Sequence, residues 1–388
     1  MKKLLHTLPG RIALAIVAGI AAGAVAPGWL AAAAATFNGL MGQLLGFLIP
    51  LIIIGFVAPA IADVGRRAGS MLAATAALAY GATFLAGAMS YGIGRLTFPM
   101  IVDPSLAEAG AAAEAATVLP WFEVSVPPLM PVTTALALAF MLGLGCAIAS
   151  AASLRRGLTE LRDIVALSID RAVLPLLPPY IGCIFLVMTV EGRVASILAT
   201  FAGIIGIIFA MHVLILLLQY AIAGAIGRRN PLRMLRTMLP AYLTALGTQS
   251  SAATIPVTLR QTVRLGVDED VAGFTVPLCA TIHMSGSTLK IVACAMALMM
   301  MHAQPVPPEL FARFIAMLGI TIIAAPGIPG GAIMASLGLL ASILGFDTRM
   351  QAMMIALYIA MDSFGTACNV TGDGALAVII DRFFGKKK

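Results

Sequence analysis

The chain has 388 residues, of which 61% are apolar and only 11% charged, whereas roughly a quarter of a typical soluble domain is charged. No water-soluble fold of this length hides that much apolar surface, so most of the chain must face lipid. The net charge of +7 comes from short basic clusters between apolar runs, which is how a membrane protein sets its orientation, and nucleic acid is thereby excluded as the main partner.

Apolar stretches long enough for a helical crossing occur at 12–35, 38–63, 70–96, 130–153, 164–190 and 194–226. Further stretches fill 232–262, 268–303, 311–346 and 350–380. The basic start before Ile12 and the small residues near Ala32 fit a signal peptide. Pro27 interrupts that apolar run, however, and the topology needs the span, so it is read as a crossing.

Lys2, Lys3 and Arg11 put the N-terminus in the cytoplasm, and Arg66 and Arg67 mark an inside loop after two crossings. The connection 97–128 carries Asp103, Glu108, Glu114 and Glu123 without a Lys or Arg, and is read as outside. Arg155, Arg156 and Arg162 return inside, as do Arg228, Arg229, Arg233 and Arg236. Segment 232–262 then breaks the alternation, because Arg260 and Arg264 follow it while Arg233 and Arg236 precede it. Its middle is the polar run Thr248-Gln-Ser-Ser-Ala-Ala-Thr-Ile-Pro256. A segment that enters and leaves on one face is a re-entrant hairpin, and irregular backbone at that depth survives only against protein or a watery cavity. Segment 311–346 repeats the pattern from the other face, with Ala325-Pro-Gly-Ile-Pro-Gly-Gly331 at its tip, where Gly327, Gly330 and Gly331 permit close backbone approach. The last crossing returns inside to Arg382 and Lys386 to Lys388. The expected fold is an all-α membrane protein of eight crossings plus two oppositely oriented hairpins in an inverted repeat, both ends cytoplasmic. Ten plain helices with polar kinks is the competing arrangement, and it leaves Arg260, Arg264 and the C-terminal lysines without a common explanation.

The most informative stretch is the last crossing, where Asp362, Thr366, Asn369 and Asp373 recur at i, i+4, i+7 and i+11. At about 100° per residue the first and last differ by roughly 20°, so all four share one helix face. Charges at the bilayer centre usually mark an ion or substrate pathway. In the seventh crossing, Gly286 and the neighbouring hydroxyls of Thr281-Ile-His-Met-Ser-Gly-Ser-Thr-Leu-Lys290 imply a local helix break, with His283, Ser287 and Lys290 at i, i+4 and i+7. Lys290 lies about 18 Å of helix rise from His302 at the outer end, too far to snorkel, and is expected to pair with an acid inside. At the first tip Ser250, Ser251 and Thr254 offer hydroxyls, and half-helix N-termini there suit a carboxylate.

Other chemistry is excluded by what the motifs lack. The cysteines Cys146, Cys183, Cys279, Cys294 and Cys368 have no CxxC spacing, which argues against a disulfide framework or zinc site. There is no Walker loop, HExxH or GxSxG, so transport must draw on an ion gradient, and neither an enzyme nor any cofactor is expected. An uncoupled channel would need no closing tips.

The run Ser-Ser-x-x-Thr-x-Pro-Val-Thr from Ser250, the broken seventh helix, the Pro-Gly tip and Asp-x-x-x-Thr-x-x-Asn-x-x-x-Asp from Asp362 together resemble the dicarboxylate/amino acid:cation symporters, the glutamate-transporter family. The resemblance is strongest over 240–385. It implies a homotrimer in the cell's inner membrane, in which residues 230–388, with 70–96 alongside, move like an elevator against a scaffold made of 1–70 and 130–226. It also implies that Asn369 and Asp373 bind sodium, that Asp362 holds a substrate's amino group, and that Thr366 lies beside the substrate. Three departures qualify this. The family's Asn-Met-Asp-Gly-Thr is here His283-Met284-Ser285-Gly286-Ser287, which puts a sodium site in question. Gly365 stands where carriers of acidic amino acids have Arg, and Lys290 fits none of the family's patterns. The Asp-Ser-x-x-Thr-Ala-x-Asn run is closest to the serine/threonine carriers. The resulting expectation is symport of a small neutral amino acid with a cation, sodium first and proton second. The alternative is a proton-coupled carrier of a dicarboxylate or other carboxylate that uses Lys290 and His283.

Overall fold

A computed structural model describes residues 8–66, 70–102, 118–149, 151–192, 194–322 and 330–385, and among them every regular element is helical. Helix α1 (Leu8–Gly23) is followed by α2 (Gly28–Arg66), α3 (Ser70–Thr97), α4 (Val132–Ile148) and α5 (Ala152–Ser168). A π-helical turn at Ile169–Val173 joins α5 to α6 (Leu174–Val190), and α7 (Val194–Gly227) completes the N-terminal part. Among the described residues, five helical runs are long and apolar enough to cross a membrane, or six if the bent C-terminal pair is one span; α1 and α4 are apolar but shorter. Of the charges used to orient the chain, Lys2, Lys3, Arg67, Asp103, Glu108, Glu114 and Lys386 to Lys388 lie outside the described residues, as does Gly327.

Two boundaries differ from expectation. The stretch 12–35 is not one element: α1 ends at Gly23, a non-helical connection covers 24–27, and 28–35 belong to α2, because Pro27 cannot donate to a preceding turn and sits just before the new helix. The basic residues Arg155, Arg156 and Arg162 lie on the amphipathic helix α5 and not in a loop. Its buried Leu158 and Val165 are seven residues apart on one face.

Helices α1 and α6 approach so closely that a Cβ built on Gly19 would collide with the backbone carbonyl of Gly182. Backbone cannot give way as a flexible side chain can. The Gly19→Leu variant is therefore expected to destabilise by about 1–3 kcal/mol, seen as a lower melting temperature in detergent; an unchanged melt would show that these helices sit farther apart.

The C-terminal part consists of broken helices. Helices α8 (Pro231–Thr248) and α9 (Ser251–Arg264) pack on each other across a two-residue break. Gln249 there adopts the left-handed conformation (φ 55°), and Ser250 caps α9 by accepting from the Ala253 amide at 3.3 Å. Helices α10 (Glu269–Ile282) and α11 (Ser285–Met301) are separated at His283 and Met284, and the pair α12 (Pro308–Ile322) and α13 (Gly331–Ser342) follows. Helices α14 (Thr348–Ala360) and α15 (Asp362–Phe384) meet at Met361 with a bend of 62°. Helix α11 packs on α3, and α15 lies among α7, α8, α9, α10 and α11. Helix α11 is buried along nearly its whole length, and so is α15 from Gly365 to Ile380. Polar side chains on them have no route to water and must find partners inside the protein.

The break in the seventh expected crossing falls ahead of Gly286. That glycine is helical, in the first turn of α11, and a Cβ on it would come within 2.6 Å of the Cys368 Cβ and 2.7 Å of the Gly365 carbonyl oxygen. It is needed for close approach of α11 to α15, and not for a bend.

Candidate functional site

The expected polar face of the last crossing lies within α15, and Asp362, Thr366, Asn369 and Asp373 are all buried along it. Two of them meet nitrogen groups from the neighbouring broken helix. Asp362 opens α15, where the positive end of the helix dipole favours an anion. Its Oδ1 lies 3.3 Å from Lys290 Nζ, and its Oδ2 accepts the Gly330 amide at 2.7 Å. Gly330 has φ 75°, the left-handed region that glycine enters without strain, and this aims its N–H at the carboxylate. Lys290 also donates to the Met361 carbonyl at 3.3 Å and sits 3.6 Å from the centroid of the Tyr358 ring. Its side chain is fully buried.

Asp373 meets His283 instead. His283 Nδ1 is 2.9 Å from Asp373 Oδ1, and His283 Nε2 is 3.3 Å from the amide nitrogen of Gln219 on α7. With the Gln219 amide nitrogen as donor, Nε2 accepts and Nδ1 donates to the Asp373 carboxylate. Gln219 also donates to Ser285 Oγ at 3.1 Å. His283, Ser287 and Lys290 all face α15, meeting Asp373, Asn369 and Asp362 in turn, although the break at 283–284 separates the first from the other two.

Asn369 is the cap of α11. Its oxygen accepts the Gly286 amide at 2.8 Å and the Ser287 amide at 3.3 Å, and its nitrogen donates to Ser287 Oγ at 3.0 Å. Asn369→Ala would bury two N–H groups without an acceptor, at about 1–3 kcal/mol each. A clearly lowered melting temperature is expected, and a wild-type melt would remove Asn369 as the cap.

A small cavity of about 30 Å³ lies where these elements converge. Gln249 and Ser251 from the first break reach it, together with Ser287, Asp362, Thr366 and Asn369. Ser250 and Thr254 do not line it: Ser250 caps α9, and the Thr254 hydroxyl donates to the Ser250 carbonyl at 2.8 Å. Ser285 is held by Gln219 on the other side of the α10–α11 break. Gly365 acts through its missing side chain, since a Cβ there would stand 2.5 Å from Lys290 Cε and 2.6 Å from Nζ. A larger cavity of about 720 Å³ lies elsewhere, between α2, residues 118–125, α6 and the start of α14, and holds none of these residues.

Sequence reasoning overlooked Gln219 and Tyr358. Gln219 is a polar residue seven positions after His212 in an otherwise apolar helix, and that spacing could have revealed it. Tyr358, whose hydroxyl donates to Ser287 Oγ at 3.0 Å, gave no signal beyond being aromatic. For a cation, the relevant observation is a pair of buried oxygens, Asp373 Oδ2 and Gln219 Oε1, without a hydrogen-bond partner among the described residues. Oxygen donors of this kind suit a hard cation such as sodium.

The chain is similar in sequence to known transporters. Excitatory amino acid transporter 2 of Homo sapiens is 29% identical over 178 residues, 46% of this chain and 30% of that protein. Excitatory amino acid transporter 4 of Mus musculus is 34% identical over 161 residues, 40% of this chain and 28% of that protein. The similarity thus spans less than a third of those relatives. A family model reaches much further along the chain, matching residues 8–383, and by that match this protein belongs to the sodium:dicarboxylate symporter family.

Proposed function

We propose that the protein is a cation-coupled secondary symporter for a small carboxylate-bearing solute, working without covalent chemistry. The observation that carries this is the convergence of the α8–α9 break with Asp362, Thr366 and Asn369 around one buried cavity. The substrate carboxylate is received at the N-terminal end of α9, beside Ser250 and Ser251, where the helix dipole favours an anion. The coupling ion, sodium before proton, is taken up near Asp373 and Asn369. Two features support reading 232–262 and 311–346 as re-entrant hairpins. Their arms have 18, 14, 15 and 12 residues, shorter than the roughly 20 needed to cross a bilayer. The first break also borders the small cavity that Asp362, Thr366 and Asn369 line.

Residues 230–388 with α3 form the moving unit, and 1–70 with 130–226 form the scaffold of a homotrimer in the inner membrane, both chain ends cytoplasmic. The close packing of α3 on α11 supports that grouping. The two substrate readings, a serine-, threonine- or alanine-like amino acid and a plain carboxylate, share this site and differ in what Asp362 does. The test is uptake into proteoliposomes under an imposed sodium or proton gradient. Accumulation above the outside concentration is expected, and equilibration without accumulation would leave a channel in place of the symporter.

A further inference from the structure

The buried pair between Lys290 and Asp362 names the substrate class. We propose that the Lys290 ammonium occupies, from within the chain, the place on Asp362 that a substrate's α-amino group would otherwise take, so that the protein selects small carboxylates without an α-amino group. This rests on the carboxylate-carrier reading above and adds to it a specificity-determining residue.

Three observations carry the inference. Both oxygens of Asp362 are engaged, one by Lys290 Nζ at 3.3 Å and the other by the Gly330 amide at 2.7 Å. A substrate ammonium would have to share this carboxylate with a cation already in contact with it, or displace that cation. Second, the seat of Lys290 is built. Its ammonium points at the Met361 carbonyl, at the negative C-terminal end of α14, and lies against the face of Tyr358. The room for its last two atoms exists because Gly365 has no side chain. Ammonium, carbonyl, ring and notch come from four separate places on three helices, which a merely tolerated lysine would not need. Third, the pair is neutral in sum, and the polar groups that line the adjoining cavity are the uncharged Gln249, Ser251, Ser287, Thr366 and Asn369. Asp362 itself borders this cavity, but its charge is already balanced by Lys290 behind it, so an arriving ammonium gains less from the carboxylate than it would from an unpaired acid.

The experiment uses purified full-length protein and substrates matched except at the α-position: malate against aspartate, and lactate against alanine. Binding is read by thermal shift and uptake in proteoliposomes. The wild type is expected to prefer the hydroxy acid of at least one pair by tenfold or more. In Lys290→Met the freed Asp362 should accept a substrate ammonium, and the preference should move at least tenfold toward the amino acid. A wild type that prefers the amino acids, or shows no preference, overturns the tethered-ammonium assignment alone, and so does a folded Lys290→Met variant with wild-type selectivity. Failure of all four compounds to bind overturns the carboxylate-carrier reading and this inference with it. If Lys290→Met does not fold, the wild-type comparison still decides.

Discussion

Purified Asp362→Asn is expected to melt well below the wild type, and the double variant Asp362→Asn with Lys290→Met to recover much of the loss. The two charges are buried together, with side chains 0% and 5% exposed. Removing one partner of a buried pair leaves the other uncompensated and costs about 3–5 kcal/mol, whereas replacing both is often near neutral. Asn keeps an oxygen for the Gly330 amide, so the loss reports the missing charge and not that hydrogen bond. A double-mutant cycle measured by thermal or denaturant melts isolates the coupling. Single and double variants that lose the same amount would show that Lys290 and Asp362 contribute independently.

Asp373→Asn is expected to remove most of the cation stimulation of uptake, tenfold or more, while the protein still assembles. The Asn oxygen can accept from His283 Nδ1 as the carboxylate does at 2.9 Å, so packing at the α10–α11 break is preserved and only the charge is lost. Asp373 Oδ2 has no hydrogen-bond partner among the described residues, and a buried carboxylate oxygen left without one is suited to a hard cation. Initial uptake rates against sodium concentration, with and without a proton gradient, provide the check. Undiminished stimulation in the variant would place the coupling ion elsewhere.

How far each feature was legible follows from whether it is local. The shared face of Asp362, Thr366, Asn369 and Asp373 needs only an uninterrupted helix over those positions, and α15 supplies one. The break at Gln249 and Ser250 was visible because a polar run with a capping serine competes with helix continuation. The bend at Met361 had no such mark, for neither Ala360 nor Met361 breaks a helix by propensity. It lies where Lys290 takes the Met361 carbonyl, a contact made from another helix. Gly286 marked the expected local break, but its own role was hidden for a related reason. Glycine signals either backbone freedom or close approach, and only the position of Gly365 and Cys368 across the interface shows which.

The sequence by itself determined that the chain is a lipid-facing helical protein, that its C-terminal part is interrupted by polar breaks, and that one late helix carries a buried polar face. These follow from composition and from periodicity within single segments. Only the tertiary structure decided how the buried charges divide: Lys290 to Asp362, 72 residues apart, and His283 to Asp373, 90 residues apart, with Gln219 completing the second group from a third helix. Spacing along a helix sets the face on which a side chain emerges. It says nothing about which of several buried acids lies opposite, because that depends on how closely the helices approach, and here Gly286 and Gly365 set that approach by having no side chain.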